Sequence, residues 1–95
     1  MFYYNQVPLG VKVMSKLINE PITVHLIKDL QITAFIWRKR LYRVTEAFDW
    51  WREPSEWWEG DAIPLFIRVN AKNASIGTYE LCKLDDKWFL SRVLD

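Results

Sequence analysis

The side chains able to do covalent or acid–base chemistry are few and scattered. His25 is the one histidine and Cys82 the one cysteine. Each sits inside a run of alternating apolar and polar residues, Ile22–Ile27 for the first and Ile76–Leu84 for the second. A thiol nucleophile needs a base and an orienting group beside it, and nothing around either residue supplies them. A zinc site would want several Cys or His ligands, which one histidine and one cysteine cannot provide. The three glycines, Gly10, Gly60 and Gly77, stand apart and form no phosphate-binding loop. Asp85 and Asp86 are adjacent, and neighbouring side chains of a turn point apart, so they read as a turn rather than as an acid–base pair. The expectation is a non-enzymatic protein with no cofactor and no metal.

Two clusters suit binding instead. Four of the six tryptophans fall between Trp50 and Gly60, where Trp50, Trp51 and Arg52 are followed by Glu56, Trp57 and Trp58. Tryptophan combines a large apolar ring with one N–H donor, and Trp and Arg are favoured anchors of protein interfaces. With Pro54, Gly60 and Pro64 as punctuation, the stretch from Asp49 to Ile63 reads as a loop. Its rings either fold back over the core or form a recognition surface. Adjacent residues of an extended chain face opposite ways, so each Trp-Trp pair is expected to split, one ring inward and one outward. The second cluster is Trp37, Arg38, Lys39, Arg40, Leu41, Tyr42 and Arg43, in which cations alternate with aromatics. Small barrels bind single-stranded nucleic acid by stacking bases on aromatics while Lys and Arg track the phosphates. The plainer alternative is a solvated hairpin tip.

Charge separates these clusters. Residues 1–45 carry seven Lys or Arg against Glu20 and Asp29, whereas residues 46–61 carry Arg52 against six carboxylates. The overall charge of +1 therefore conceals a basic and an acidic half. At 95 residues, 51% hydrophobic and 16% aromatic, the chain has the size and apolar content of one folded domain. No apolar run reaches the roughly 18 residues of a membrane span, and the first residues lack the basic and apolar regions of a signal peptide. A single cysteine fits a reducing compartment, and the expected location is the cytoplasm.

The elements that must carry these residues are strands. Ile22–Ile27, Ile32–Trp37, Leu41–Phe48, Leu65–Val69, Ile76–Leu84 and Lys87–Val93 are short, rich in β-branched and aromatic residues, and alternate in polarity. Turn residues separate them at intervals of about ten residues, which points to an antiparallel barrel or strongly bent meander of about six strands, similar in size to an SH3 domain. Val24, Ile36, Val44, Ile67, Leu81 and Phe89 are the expected core. In the third strand Tyr42 and Val44 share one face, with Leu41 and Arg43 on the other. Residues 1–20 break the pattern and stand apart as an arm, strand or helix preceding a single β domain over 21–95. One or two helical turns fit Val11–Ile18, and a short turn could start at Pro54.

From Pro21 to Asp95 the chain resembles a small bacterial domain family encoded beside, or appended to, proteins of damage-induced mutagenesis. The residues that carry the likeness are Trp37, Arg38, Lys39 and Arg40; Tyr42, Arg43 and Val44; Trp51 and Arg52; Glu56, Trp57 and Trp58; Phe66 to Val69; Tyr79, Glu80 and Leu81; and Trp88, Phe89 and Leu90 before a terminal Asp95. The pattern is similar to the C-terminal tail domain of the catalytically inactive Y-family polymerase homologue of mutagenesis cassettes. The resemblance implies protein–protein contacts with a translesion polymerase complex. Lys39 stands where the pattern has Gly, a departure of little cost at a turn, and residues 1–20 lie outside the likeness. The reading is an adaptor that uses Trp50, Trp51, Arg52, Glu56, Trp57 and Trp58. The alternative is a single-strand nucleic acid binder that uses Trp37, Arg38, Lys39, Arg40, Tyr42 and Arg43.

Overall fold

Seven antiparallel strands form one sheet: β1 (Ser15–Pro21), β2 (Thr23–Leu26), β3 (Ile32–Trp37), β4 (Arg40–Arg52), β5 (Leu65–Lys72), β6 (Ile76–Leu84) and β7 (Lys87–Leu94). The computed structural model describes residues 15–27, 31–54 and 62–94, and no helix occurs among them. The strand order is β1-β7-β6-β5-β4-β3-β2. β1 and β2 are thus consecutive in the chain yet occupy opposite edges. Only Ile22 separates them, and its N–H donates to the Trp88 carbonyl at 3.1 Å. One bent chain segment therefore belongs to both edges, and the sheet is curled into a half-barrel. The six strands expected from the pattern correspond to β2–β7, and β1 is the seventh. Closing edges in this way removes pairing sites that would otherwise invite aggregation.

Curling gives the sheet a concave face that holds the main core. Phe35, Ile67, Val69, Ala71, Leu81 and Leu90 are wholly buried there. Phe35 stacks on its cross-strand neighbour Tyr42, with ring centroids 5.0 Å apart and planes 5° from parallel. Tyr79 meets both rings edge-on at 5.5 and 5.4 Å. It reaches them by lying back over Gly77, where a Cβ would sit 2.9 Å from the Tyr79 hydroxyl. The convex face has a smaller core in which Phe66, Cys82 and Leu84 are buried under Trp51 and Phe89.

Bulges decide which residues face inward. The β2–β3 register shifts between His25 and Leu26, leaving Thr33 as the extra residue, so Ile32 and Phe35 share the concave face despite being three apart. Phe35 and Trp37 consequently pack inward, and Ile36, expected in the core, lies half-buried on the other side. Of the other expected core residues, Ile67 and Leu81 are wholly buried, whereas Val24 and Val44 are only half-buried against the concave core. Phe89 is also half-buried and belongs to the convex cluster; its neighbour Leu90 fills the concave core instead. Tyr42 and Val44 do share a face, with Leu41 and Arg43 exposed opposite them.

Two boundaries move. Residues 15–20, separated from the β domain by sequence pattern, form β1 and pair with β7, so the stretch proposed as helix is strand from Ser15 onward. Its irregularity has a cause: a bulge lies between Leu17 and Glu20, and Asn19 there has φ 53°, a conformation Asn tolerates better than most residues. β4 does not stop at Phe48 but continues to Arg52. Trp50, Trp51 and Arg52 are therefore strand residues, not loop residues. Pro54 is the first Pro or Gly after Lys39, and that absence of breakers is the signal the alternation alone did not show.

Candidate functional site

β4 is 13 residues long, and its two ends carry the two clusters. At 3.2–3.4 Å per residue these ends lie up to about 40 Å apart along the strand. The basic cluster sits at the β3–β4 turn. Arg38 and Lys39 have φ 51° and 65°, the paired left-handed conformation of a two-residue hairpin turn, which favours Asn-Gly. Lys39 therefore bears a conformational cost that Gly would avoid.

The geometry of this turn is that of a clasp. Arg38 donates twice to Glu20 of β1, Nε to Oε1 at 3.0 Å and Nη2 to Oε2 at 2.7 Å. Trp37 Nε1 donates to the same Oε1 at 2.8 Å, and the Arg38 guanidinium lies 4.6 Å from the Trp37 ring centroid. The Arg38 and Trp37 hydrogen bonds hold the Glu20 carboxyl down to about 2, and the same carboxylate raises Arg38. Tyr42 is 9% exposed and stacked on Phe35, so it offers no ring face to a base. Of the six residues suggested for nucleic acid, Lys39, Arg40 and Arg43 are exposed and have no hydrogen-bond or ion-pair partner among the described residues. Glu20, which engages Arg38 and Trp37, lies 17 residues or more away in sequence, and no local pattern announces it.

At the other end of β4, Trp50 and Trp51 split as adjacent strand residues must. Trp51 lies opposite Phe66 on the convex face and stacks on it, centroids 5.5 Å apart and planes 16° from parallel. The Arg68 guanidinium covers the other side of the system at 4.9 Å from the Trp51 centroid, and Trp51 Nε1 donates to Glu53 Oε1 at 2.7 Å. Arg68 is itself held by Glu80, a buried carboxylate that also accepts from Ser91 Oγ at 3.1 Å and faces Arg92 at 3.7 Å. Trp51 is thus fixed by a polar and aromatic framework that spans β4 to β7.

Trp50 lies opposite Ile67 on the concave side and is 54% exposed. Bulges between Val44 and Glu46 and between Ala47 and Asp49 keep Val44, Ala47 and Trp50 on that side at intervals of three. With Ile32 and Thr33 of β3 they line an open groove of about 630 Å³. Arg52, the third residue of the cluster in this strand, donates from Nη1 to the Ile63 carbonyl at 3.1 Å. Phe48 and Ile63, also at this end, are exposed at 44% and 51%. Glu56, Trp57 and Trp58 lie outside the described residues, as do Asp29 and Leu30 between the first two expected strands.

Cys82 is wholly buried, and desolvation, with Glu80 nearby, pushes its thiol up to about 11. His25 is exposed on edge strand β2. Among the described residues no group of three His, Cys, Asp or Glu side chains is arranged to hold a metal. No described helix is long and apolar enough to cross a membrane. No protein-family model, curated protein or solved structure matches the chain.

Proposed function

We propose that the protein is a non-enzymatic interaction module whose contact surface is the distal half of β4, centred on Trp50. One observation carries this reading: of two adjacent tryptophans in one strand, Trp51 is clamped by Phe66, Arg68 and Glu53 while Trp50 stands 54% exposed beside an open groove. An exposed tryptophan flanked by exposed Phe48 and Ile63 is the kind of anchor that protein interfaces use. The resemblance of the sequence to a domain of mutagenesis cassettes directs the choice of partner to a translesion polymerase complex. The test compares the tagged wild type with Trp50→Ala in capture from cells after DNA damage, with quantitative mass spectrometry of what is retained. Loss of a polymerase-complex protein from the Trp50→Ala sample, with the variant still folded, supports the reading. Identical captured sets would refute it.

The single-strand reading of the basic turn is left with Lys39, Arg40 and Arg43. Three phosphate contacts would give a salt slope of about −2 on single strands, which supports only weak association.

A further inference from the structure

β4 has one edge that nothing described covers. β3 pairs with it only from Arg40 to Arg43, ending at the Ala34–Arg43 pair. From there to Arg52 the β5 side of β4 stays paired, up to the Arg52–Leu65 pair. The opposite side, nine residues from Val44 to Arg52, meets no strand among the described residues. Such an edge presents a row of free N–H and C=O groups, and soluble proteins guard it with charged side chains, Pro, bulges or a covering element. This stretch contains neither Pro nor Lys; its guards are two bulges and the charges of Glu46, Asp49 and Arg52. Its bulges bend β4 away from Gln31–Thr33 and open the groove of about 630 Å³ along the edge.

We infer that the edge of β4 from Val44 to Arg52 is a strand-addition site for an extended peptide in which apolar and basic residues alternate. The inference rests on the reading of this same surface as an interaction site. Side chains of an added strand alternate between faces. One set enters the concave side, where Ile32, Val44, Ala47 and Trp50 present apolar surface and Gln31, Thr33, Thr45 and Glu46 also border the groove. The other set lies over the convex side, where the register places Glu46 opposite Asn70 and Asp49 opposite Arg68. Both carboxylates are exposed. Glu46 accepts a single hydrogen bond, from Asn70 Nδ2 at 3.2 Å, and Asp49 has no partner among the described residues. Arg52, the lone cation of the stretch, already donates to the Ile63 carbonyl. The charge requirement of the partner strand is therefore basic. A second copy of this chain fits poorly, because the antiparallel register that sets Glu46 of one copy opposite Asp49 of the other does so twice, and like charges directly opposed destabilise a sheet.

The probe is a fluorescein-labelled nine-residue peptide of alternating valine and lysine, read by anisotropy at low salt. A valine–glutamate peptide is the charge control. Two further valine–lysine peptides carry N-methyl groups on one or the other alternate set of amides, each blocking one edge of the peptide. The expected result is binding at least about tenfold tighter for lysine than for glutamate. One N-methylated peptide should retain binding and the other lose it, and deuterium exchange at the amides of 44–52 should slow on addition. The double variant Glu46→Lys, Asp49→Lys should invert the charge preference. Equal binding of both N-methylated peptides overturns the proposal. So do amides of 44–52 on the side away from β5 that are already protected in the free protein, or a sedimentation-detected dimer that the double variant dissolves. If Trp50→Ala abolishes partner capture while both N-methylated peptides bind like the parent, the interaction surface stands and strand addition falls. If the peptides behave as expected but capture does not depend on Trp50, strand addition stands alone.

Discussion

Replacing Trp51 and Trp50 in turn by alanine should separate a structural ring from a recognition ring. At Trp51 the substitution removes the stacked contact with Phe66 at 5.5 Å, about 0.5–1.5 kcal/mol, and the Arg68 cation–π contact at 4.9 Å, about 0.5–1 kcal/mol at a part-exposed site. Uncovering about 60–100 Å² of apolar surface on a half-buried ring adds about 1.5–2.5 kcal/mol at 25 cal/mol per Å². Overlap among these contributions leaves an expected loss of about 3 kcal/mol. That is a large share of the about 5–14 kcal/mol usual for a domain of 95 residues. At Trp50 no such clamp exists among the described residues, and loss of the ring should cost about 1 kcal/mol or less. The assay is urea unfolding followed by far-ultraviolet circular dichroism, because fluorescence would lose its own reporter. With a slope of about 1–1.5 kcal/mol per M, the Trp51→Ala midpoint should fall by about 2–3 M and that of Trp50→Ala by less than about 1 M. Equal losses, or the larger loss at Trp50, would refute the division of roles and remove the basis for placing the contact surface at Trp50.

Other outcomes follow from the same geometry. Glu20 is held at about 2, below its ordinary 4.5, so the clasp's contribution is complete above pH 4.5 and disappears as pH falls from there towards 2; urea midpoints taken across that window should drop more steeply for wild type than for Glu20→Gln. Lys39→Gly should stabilise the hairpin by about 0.5–1 kcal/mol, since relief of a left-handed side-chain conformation exceeds the added chain entropy, and an unchanged or lower melting temperature would contradict this. Gly77→Ala should push Tyr79 off its place over the Phe35–Tyr42 pair and cost about 1–3 kcal/mol by thermal melting. Cys82, buried with its thiol near 11, should resist a disulfide reagent at pH 8 in the native protein and react only on unfolding.

The alternating pattern determined by itself that the chain is an antiparallel all-β domain, because period two, β-branched residues and turn clusters are local properties. The runs at Ile32–Trp37, Ile76–Leu84 and Lys87–Val93 coincide with strands to within a residue, and Asp85-Asp86 is the turn between the last two. The split between Trp50 and Trp51 was also legible, since it needs only that both lie in extended chain. What tertiary structure decided depends on partners distant in sequence. Bulges at Thr33, in β1 and twice in β4 shift the phase of the alternation, which exchanged Ile36 for Phe35 as a core residue and brought Val44, Ala47 and Trp50 into line. Glu20, three residues before the Thr23–Ile36 pair, bonds to Arg38 and Trp37 and turns much of a basic aromatic cluster into a closure. Phe66 and Arg68, from the next strand of the sheet, determine that Trp51 rather than Trp50 is held. The free edge of β4 arises because a 13-residue strand faces a β3 that pairs with it over four residues, a mismatch of lengths visible only once the two strands are placed side by side.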